Sequence, residues 1–320
     1  MFDPARYVRQ IQLPNVGLDG QRKLNNARVL VVGAGGLSAS LLPILAASGV
    51  GYLRIYDADQ VELSNLHRQI VFRMTDLGHF KAIAVAQHLK QLNPEINIEP
   101  HPEHIYSSNL EVAIKDIDLV IDAADRFATT YLLSDICFSK KIPLISASVL
   151  AEQGYVGGFC GKDSPSYHAL FPELPQQAAS CQSAGVLAST VATLASLQAH
   201  MVLNVILNGQ HSALGQLLRL DLEQWHISSL RFDQLPEPED PLLWLDRGQL
   251  QPDDVVLELR EHSEIDDPIP NAIPTRLDHL PLHLLSNQRI VCVCKSGIRA
   301  AKAAKLLKQR GVTQVFIMAA

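Results

Sequence analysis

A glycine turn, Gly33-x-Gly35-x-x-Ser38, sits between an apolar run and an alanine-rich stretch. Glycines let a backbone turn tightly and approach phosphate oxygens, and a helix N-terminus after them offers free N–H groups with partial positive charge. Asp57 follows near the separation, roughly 20 residues, at which an acid meets a ribose hydroxyl. Read alone, this turn fits a dinucleotide such as NAD, although Ser38 stands where a third glycine would be. The residues beyond it point elsewhere. Asp57 and Asp59 occupy alternate positions and could share a ribose and a metal-bound phosphate. Asn65 and Arg68 supply a neutral and a charged donor, Lys81 opens a helical pattern, and Asp125 lies past a later strand. Cations and acids gathered around a glycine turn suit a triphosphate with a divalent metal.

Two cysteines also sit where a thiol could react. Cys294-Lys295-Ser296-Gly297-Ile298-Arg299 joins a strand-like run to a helix. Loop N–H groups, a helix N-terminus and Arg299 could together hold an anionic sulfur there. Cys181 precedes a long apolar helix, a position that lowers a thiol pKa. Cysteine is also among the commonest buried residues, so a reactive and an inert reading of Cys181 both stand. Cys137 and Cys160 lie on apolar elements and are expected in the core. Cys292, within a strand, is expected to point away from the Cys294 loop or into the core.

The elements that must position these groups follow from apolar periodicity. Strands are expected at Arg28 to Gly33, Tyr52 to Asp57, Ile96 to Pro100, Leu119 to Ala123 and Pro143 to Ala147. Helices are expected at Leu18 to Asn26, Leu37 to Ser48, Phe80 to Leu92 and Phe127 to Lys140. Such alternation indicates a doubly wound parallel α/β sheet covered on both faces. Every candidate nucleotide residue then falls at C-terminal strand ends, where open α/β sheets bind ligands. Ala184 to Leu207 is apolar but interrupted by Ser, Thr, Gln, His and Asn, and reads as a buried core helix rather than a membrane span. A proline-rich acidic stretch ends in a linker at 236–241, expected to be stiff and solvated. Beyond it come strand-like runs at Val255 to Leu259, Ile290 to Val293 and Gln314 to Ile317, with a helix at Ile298 to Arg310. That gives two domains, 1–235 and 242–320.

Bulk properties agree with this class. The 320 residues are 47% apolar and 19% charged, with net charge −6, so no basic field exists for nucleic acid. Five cysteines are too scattered for a disulfide framework and suggest a reducing, cytoplasmic setting. The first residues show no apolar signal stretch.

Arg6-Tyr-x-Arg9-Gln10, Gly33-x-Gly35-Gly36-Leu37, Asp57-x-Asp59-x-Val61, Ser64-Asn65-Leu66-His67-Arg68-Gln69, Gly78-x-x-Lys81 and Asp125 occur in this order. Together they resemble the ubiquitin-activating-enzyme superfamily, in particular the ThiF/MoeB/HesA group. The resemblance implies a Rossmann-like fold and ATP-dependent adenylation of the C-terminal carboxylate of a small ubiquitin-like sulfur-carrier protein ending in Gly-Gly. It implies that Gly35 and Gly36 approach the phosphates, with Gly33, Asp59 and Ser64 beside them. Asp57 would hold the ribose, Asn65, Arg68 and Lys81 the phosphates, and Asp125 the magnesium. Arg9, or Arg6, would reach the other site of a homodimer, and Cys181 would take part in thioester or acyl-disulfide chemistry. The Cys294 loop, with Glu258-Leu-Arg260-Glu261 and Pro268 to Pro274, resembles a rhodanese-like sulfurtransferase or a degenerate copy kept for docking.

Three departures accompany the resemblance. The zinc cysteines of some relatives are missing around Ser166-Tyr-His168, so no structural zinc is expected. Arg126 follows Asp125 where the group has asparagine. Thr130 stands where the group has arginine. Substrates other than a carrier, such as a peptide, and a nucleotide-binding scaffold with weak activity therefore stay open. Nucleic acid and membrane are not expected partners.

Overall fold

A computed structural model describes residues 2–174, 185–281 and 288–320. Its first sheet is built on a buried run, β1 (Arg28–Val32), in which Val29, Leu30 and Val31 are fully enclosed. Around β1 lie β2 (Tyr52–Tyr56), β3 (Asn97–His101), β4 (Leu119–Asp122) and β5 (Pro143–Leu150), all parallel. The sheet order is β3-β2-β1-β4-β5-β6-β7-β8.

The last three strands differ from the expected all-parallel sheet. β6 (Gln153–Cys160), β7 (Gln216–Asp221) and β8 (His226–Arg231) run antiparallel. A short turn through Ala151, with φ of 52°, folds β6 straight back along β5. Such a hairpin needs no helical crossover. Gly154 lets the two backbones meet, since a Cβ there would lie 2.4 Å from the Ser148 carbonyl oxygen. β8 is an exposed edge, with Trp225 at the turn before it 87% exposed.

Helices cover both faces. α1 (Val8–Ile11) and α2 (Gly17–Asn26) lead in, and α3 (Gly36–Ser48) follows the glycine turn. α4 (Lys81–Leu92), α5 (Ser107–Ala113), α6 (Phe127–Lys140) and α7 (Tyr167–Leu170) come next. α8 (Ala188–Asn208) is the one helix among the described residues long and apolar enough to cross a membrane. It packs on α3 and β5, and burial of Val191, Leu194, Ala195 and Val202 places it in the core of this sheet.

A second sheet, β11-β10-β12-β13-β9, is wholly parallel. Its strands are β9 (Leu243–Trp244), β10 (Val255–Glu258), β11 (Ile273–Pro274), β12 (Ile290–Cys294) and β13 (Val315–Ala319), with α9 (Ile298–Gln309) against β12 and β13. The two sheets share one apolar cluster that joins Tyr131 and Cys137 to Trp244, Leu257 and Leu307. The segment between them is exposed, as its composition suggests, but it is also tied to both sides. Glu237 accepts hydrogen bonds from the Ser166 N–H (2.7 Å) and Oγ (2.5 Å), and Asp240 pairs with Lys308 at 2.5 Å. Composition reports solvation, whereas these bonds depend on tertiary neighbours.

Candidate functional site

Gly33 ends β1 with φ of +97°, and its N–H donates to the Tyr56 carbonyl. A Cβ at this position would lie 2.6 Å from the Ala123 carbonyl oxygen. The glycine therefore lets the turn lie directly against the loop after β4. Ser38 closes the turn by donating its hydroxyl proton to the Gly33 carbonyl. This is the bond that occupies the third-glycine position.

Asp57, at the end of β2, ties the turn down from the other side. One carboxylate oxygen accepts the Ala34 N–H at 2.6 Å and the other accepts the Asp59 N–H at 2.8 Å. Burial pushes its carboxyl above the ordinary range, opposed by those bonds and by Lys81. Lys81 opens α4 and is almost fully buried; its Nζ donates to Asp59 at 2.8 Å. Arg68 lies with its aliphatic stem near Gly36, and its Nη1 donates to the Ser64 carbonyl at 3.2 Å.

These residues meet in one cleft of about 440 Å³, lined by Gly33, Gly35, Gly36, Asp57, Asp59, Asn65, Arg68, Lys81 and Asp125. Ser64 is exposed, bonded to Glu62, and does not line it. Arg9 is exposed on α1, away from this cleft, with no side-chain partner among the described residues. Arg6 is engaged with Glu95 and the Leu92 carbonyl. Cys181 lies outside the described residues.

Two further groups belong to the cleft. Gln69 is 3% exposed, and its Oε1, like the Oδ1 of Asn65, has no partner. Buried amides are ordinarily satisfied, so this pair fits a site that awaits a hydrogen-bonding ligand such as ATP. Its signal was the motif Ser64 to Gln69, where only the orphaned oxygens mark the glutamine. Asp122 is the other. It ends β4 fully buried and accepts from Thr130 Oγ1 and Ser146 Oγ, both at 2.8 Å. Thr130, expected only as a departure, is thus a hydrogen-bond donor at the cleft floor.

Burial pushes the Asp122 carboxyl up to about 6, against hydrogen bonds from Ser146, Thr130 and the Ala124 N–H that lower it. The folded value lies above the unfolded one. Folded chain therefore keeps a proton that unfolded chain releases, and stability falls as pH rises from about 4 to about 6. Two pKa units correspond to about 3 kcal/mol as an upper bound. Asp122→Asn is expected to remove this part of the pH dependence, so that it is more favourable relative to wild type at pH 7 than at pH 4.5. Urea unfolding at both values checks this, and an equal difference at the two pH values would refute it.

In the second sheet Cys294 is fully buried, and its Sγ accepts the Ala300 N–H of α9 at 3.3 Å. Arg299 donates to Glu264 at 2.5 Å. Glu258 and Arg260 form a buried two-bond pair at 2.9 and 2.7 Å. Cys292 is in the core, as one expectation had it, but not turned away from Cys294. Residues two apart share a strand face, and burial together with Cys294 holds its thiol up at about 12. Cys137 and Cys160 are fully buried.

A doubly wound sheet with a glycine turn, paired acids and cations at its strand ends defines a Rossmann-like domain of the kind that binds nucleotides. Over residues 7–242 the chain matches the model of the ThiF family. It is 38% identical over 229 residues to the adenylyltransferase and sulfurtransferase MOCS3 of Anopheles gambiae, covering 71% of this chain and 52% of that protein. It is 39% identical over 223 residues to the sulfur carrier protein adenylyltransferase of Thermus thermophilus, covering 68% of this chain and 82% of that protein. The chain belongs to the ThiF family, and spans about half the length of its MOCS3 relatives. The structure of E. coli MccB with ATP shares the fold, with a TM-score of 0.61 and 23% identity over 71% of each chain.

Proposed function

We propose that this chain adenylates the C-terminal carboxylate of a small ubiquitin-like sulfur-carrier protein ending in Gly-Gly, and that Cys294 then delivers sulfur to the activated carboxyl. The supporting observation is that the cleft does not end at the nucleotide. It shares Ser148 and Tyr155 with an apolar groove of about 590 Å³ on the antiparallel half of the sheet. Leu150, Leu170, Phe171, Leu217 and Leu230 line that groove. A protein can rest there while its extended C-terminus enters the cleft.

In the first step a carboxylate oxygen attacks the α-phosphorus of ATP, the bond to the bridging oxygen breaks, and pyrophosphate leaves. Two anions must meet, so cations have to offset their charge. Arg68 and Lys81 supply them. Asp125, exposed in the cleft, is the residue suited to hold Mg²⁺, which would draw charge from the phosphates. In the second step the outer sulfur of a Cys294 persulfide attacks the acyl carbon and AMP leaves. The thiolate of Cys181, or of an external thiol, attacks the Cys294 sulfur of the resulting acyl disulfide; the S–S bond breaks, the thiocarboxylate leaves, and Cys294 is left in a disulfide with the attacking thiol.

Residues 1–235 and 242–320 act as the two functional units in this reading. The apolar residues Leu63, Ile70, Met74 and Phe80, on the segment between β2 and α4, are exposed, which supports a homodimer. Buried free thiols at Cys137, Cys160, Cys292 and Cys294 support a cytoplasmic setting. A second reading, adenylation of a peptide, rests on Thr130, which stands where the resemblance implies an arginine and instead donates its hydroxyl proton to Asp122.

Pyrophosphate exchange tests both. It is expected to require ATP, Mg²⁺ and a carrier ending in Gly-Gly, and Asp125→Ala is expected to lower it by about 100-fold or more. Exchange supported by a short peptide but by no such carrier would replace the first reading with the second. Exchange unchanged in Asp125→Ala would remove Asp125 from the site.

A further inference from the structure

The helix that caps Cys294 also holds the two sheets together. α9 donates the Ala300 N–H to Cys294 Sγ, and five residues along the same helix Lys305 pairs with Glu173 of the first domain. Lys308 pairs with Asp240 and also donates to the Pro241 carbonyl. Ahead of these, Glu237 clamps Ser166, the residue that caps α7.

Trp244 links this seam to the cysteine loop. Its ring lies so close to Gly297 that a Cβ there would meet it at 2.2 Å. On the other side it stacks on Tyr131 of α6, with centroids 5.9 Å apart and planes at 19°. Tyr131 in turn touches Tyr167 and His168 on α7. The loop that holds the sulfur is therefore backed by a ring wedged against the first domain. Within that arrangement Cys294 has no exposed surface, and Arg299, the cation of its loop, is shared between Cys294 and Glu264. A thiol in this state can meet neither a sulfur donor nor an adenylate.

We propose that the second domain rests docked on the first with Cys294 closed, and that loosening the Glu237 and Asp240 clamp opens the cysteine to sulfur donors and acceptors. The docked form is a resting state. The polar clamp consists of solvent-facing acids, and exposed pairs of this kind are individually weak, so opening needs no global unfolding. Sub-global openings of this sort are a normal property of folded chains. The inference concerns access to the thiol and is independent of what the first domain adenylates.

Alkylation of the full chain by iodoacetamide, followed cysteine by cysteine by peptide mass spectrometry, tests it. In wild type Cys294 is expected to react much more slowly than in urea-unfolded chain. In the double variant Glu237→Ala/Asp240→Ala its rate is expected to rise roughly tenfold, the effect of losing one charge-assisted hydrogen bond network. Cys137, Cys160 and Cys292 are expected to stay protected, which separates undocking from unfolding. Exchanging the charges, Asp240→Lys with Lys308→Asp, is expected to keep Cys294 slow. The proposal is overturned if wild-type Cys294 reacts at the unfolded rate, if the double variant leaves it unchanged, or if all four cysteines accelerate together.

Discussion

Lys81→Ala is expected to reduce ATP–pyrophosphate exchange by about 10²–10³-fold, the range found when one preorganised charge-stabilising donor is removed. The geometry makes the effect larger than that of an ordinary surface lysine. Lys81 begins α4, is 6% exposed, and is held at both ends by Asp59, whose carbonyl accepts its N–H and whose carboxylate accepts its Nζ. Truncation removes a cation and leaves the Asp59 carboxylate without it in the cleft, where like charge would oppose ATP. Asp59→Asn added to Lys81→Ala is therefore expected to recover part of the loss. Contacting residues couple in this way. Equal exchange in the single and double variants would show that Asp59 lies outside the phosphate field.

Gly33→Ala is expected to be the most damaging single-atom change near the site. The methyl group would sit 2.6 Å from the Ala123 carbonyl, on a residue whose φ of +97° disfavours any side chain. Strain and overpacking together are expected to cost about 3–5 kcal/mol, lowering Tm by on the order of 10 °C. Nucleotide binding is expected to fall with it. Gly78→Ala separates the two causes. Gly78 also has positive φ, +80°, but nothing lies within 4 Å of its added Cβ. It is expected to lose only about 1 kcal/mol. Thermal unfolding of the two variants side by side decides the matter: similar losses would mean that the Ala123 contact relaxes.

The parts of this molecule readable from sequence are those whose signal is local. The strand β1 is a continuous apolar run because both its faces are buried, and Gly33 is spelled out by the adjacent glycines of its turn, although the close approach that requires it comes from Ala123 after β4. The positions from Asp57 to Lys81 carry chemistry in their order. What escaped reading depends on distant partners. β6 to β8 carry no run as apolar as β1, since β8 faces solvent. Asp122 looks like any acid at a strand end until Thr130 and Ser146 arrive from α6 and β5. Gln69 shows itself only through an oxygen left without a partner. The segment around Glu237 reads as solvated because its acids and prolines are, and only Ser166 and Lys308 pin it.

The two tryptophans occupy opposite surroundings. Trp225 stands at an edge turn, 87% exposed, while Trp244 is 7% exposed between Gly297 and Tyr131. Optically, the chain therefore carries a built-in pair of probes. Trp225→Phe leaves a single indole whose emission is expected at short wavelength and shielded from iodide. A red shift of that emission at denaturant concentrations that leave the far-ultraviolet circular dichroism unchanged would time the parting of the two domains in solution, with no dye attached.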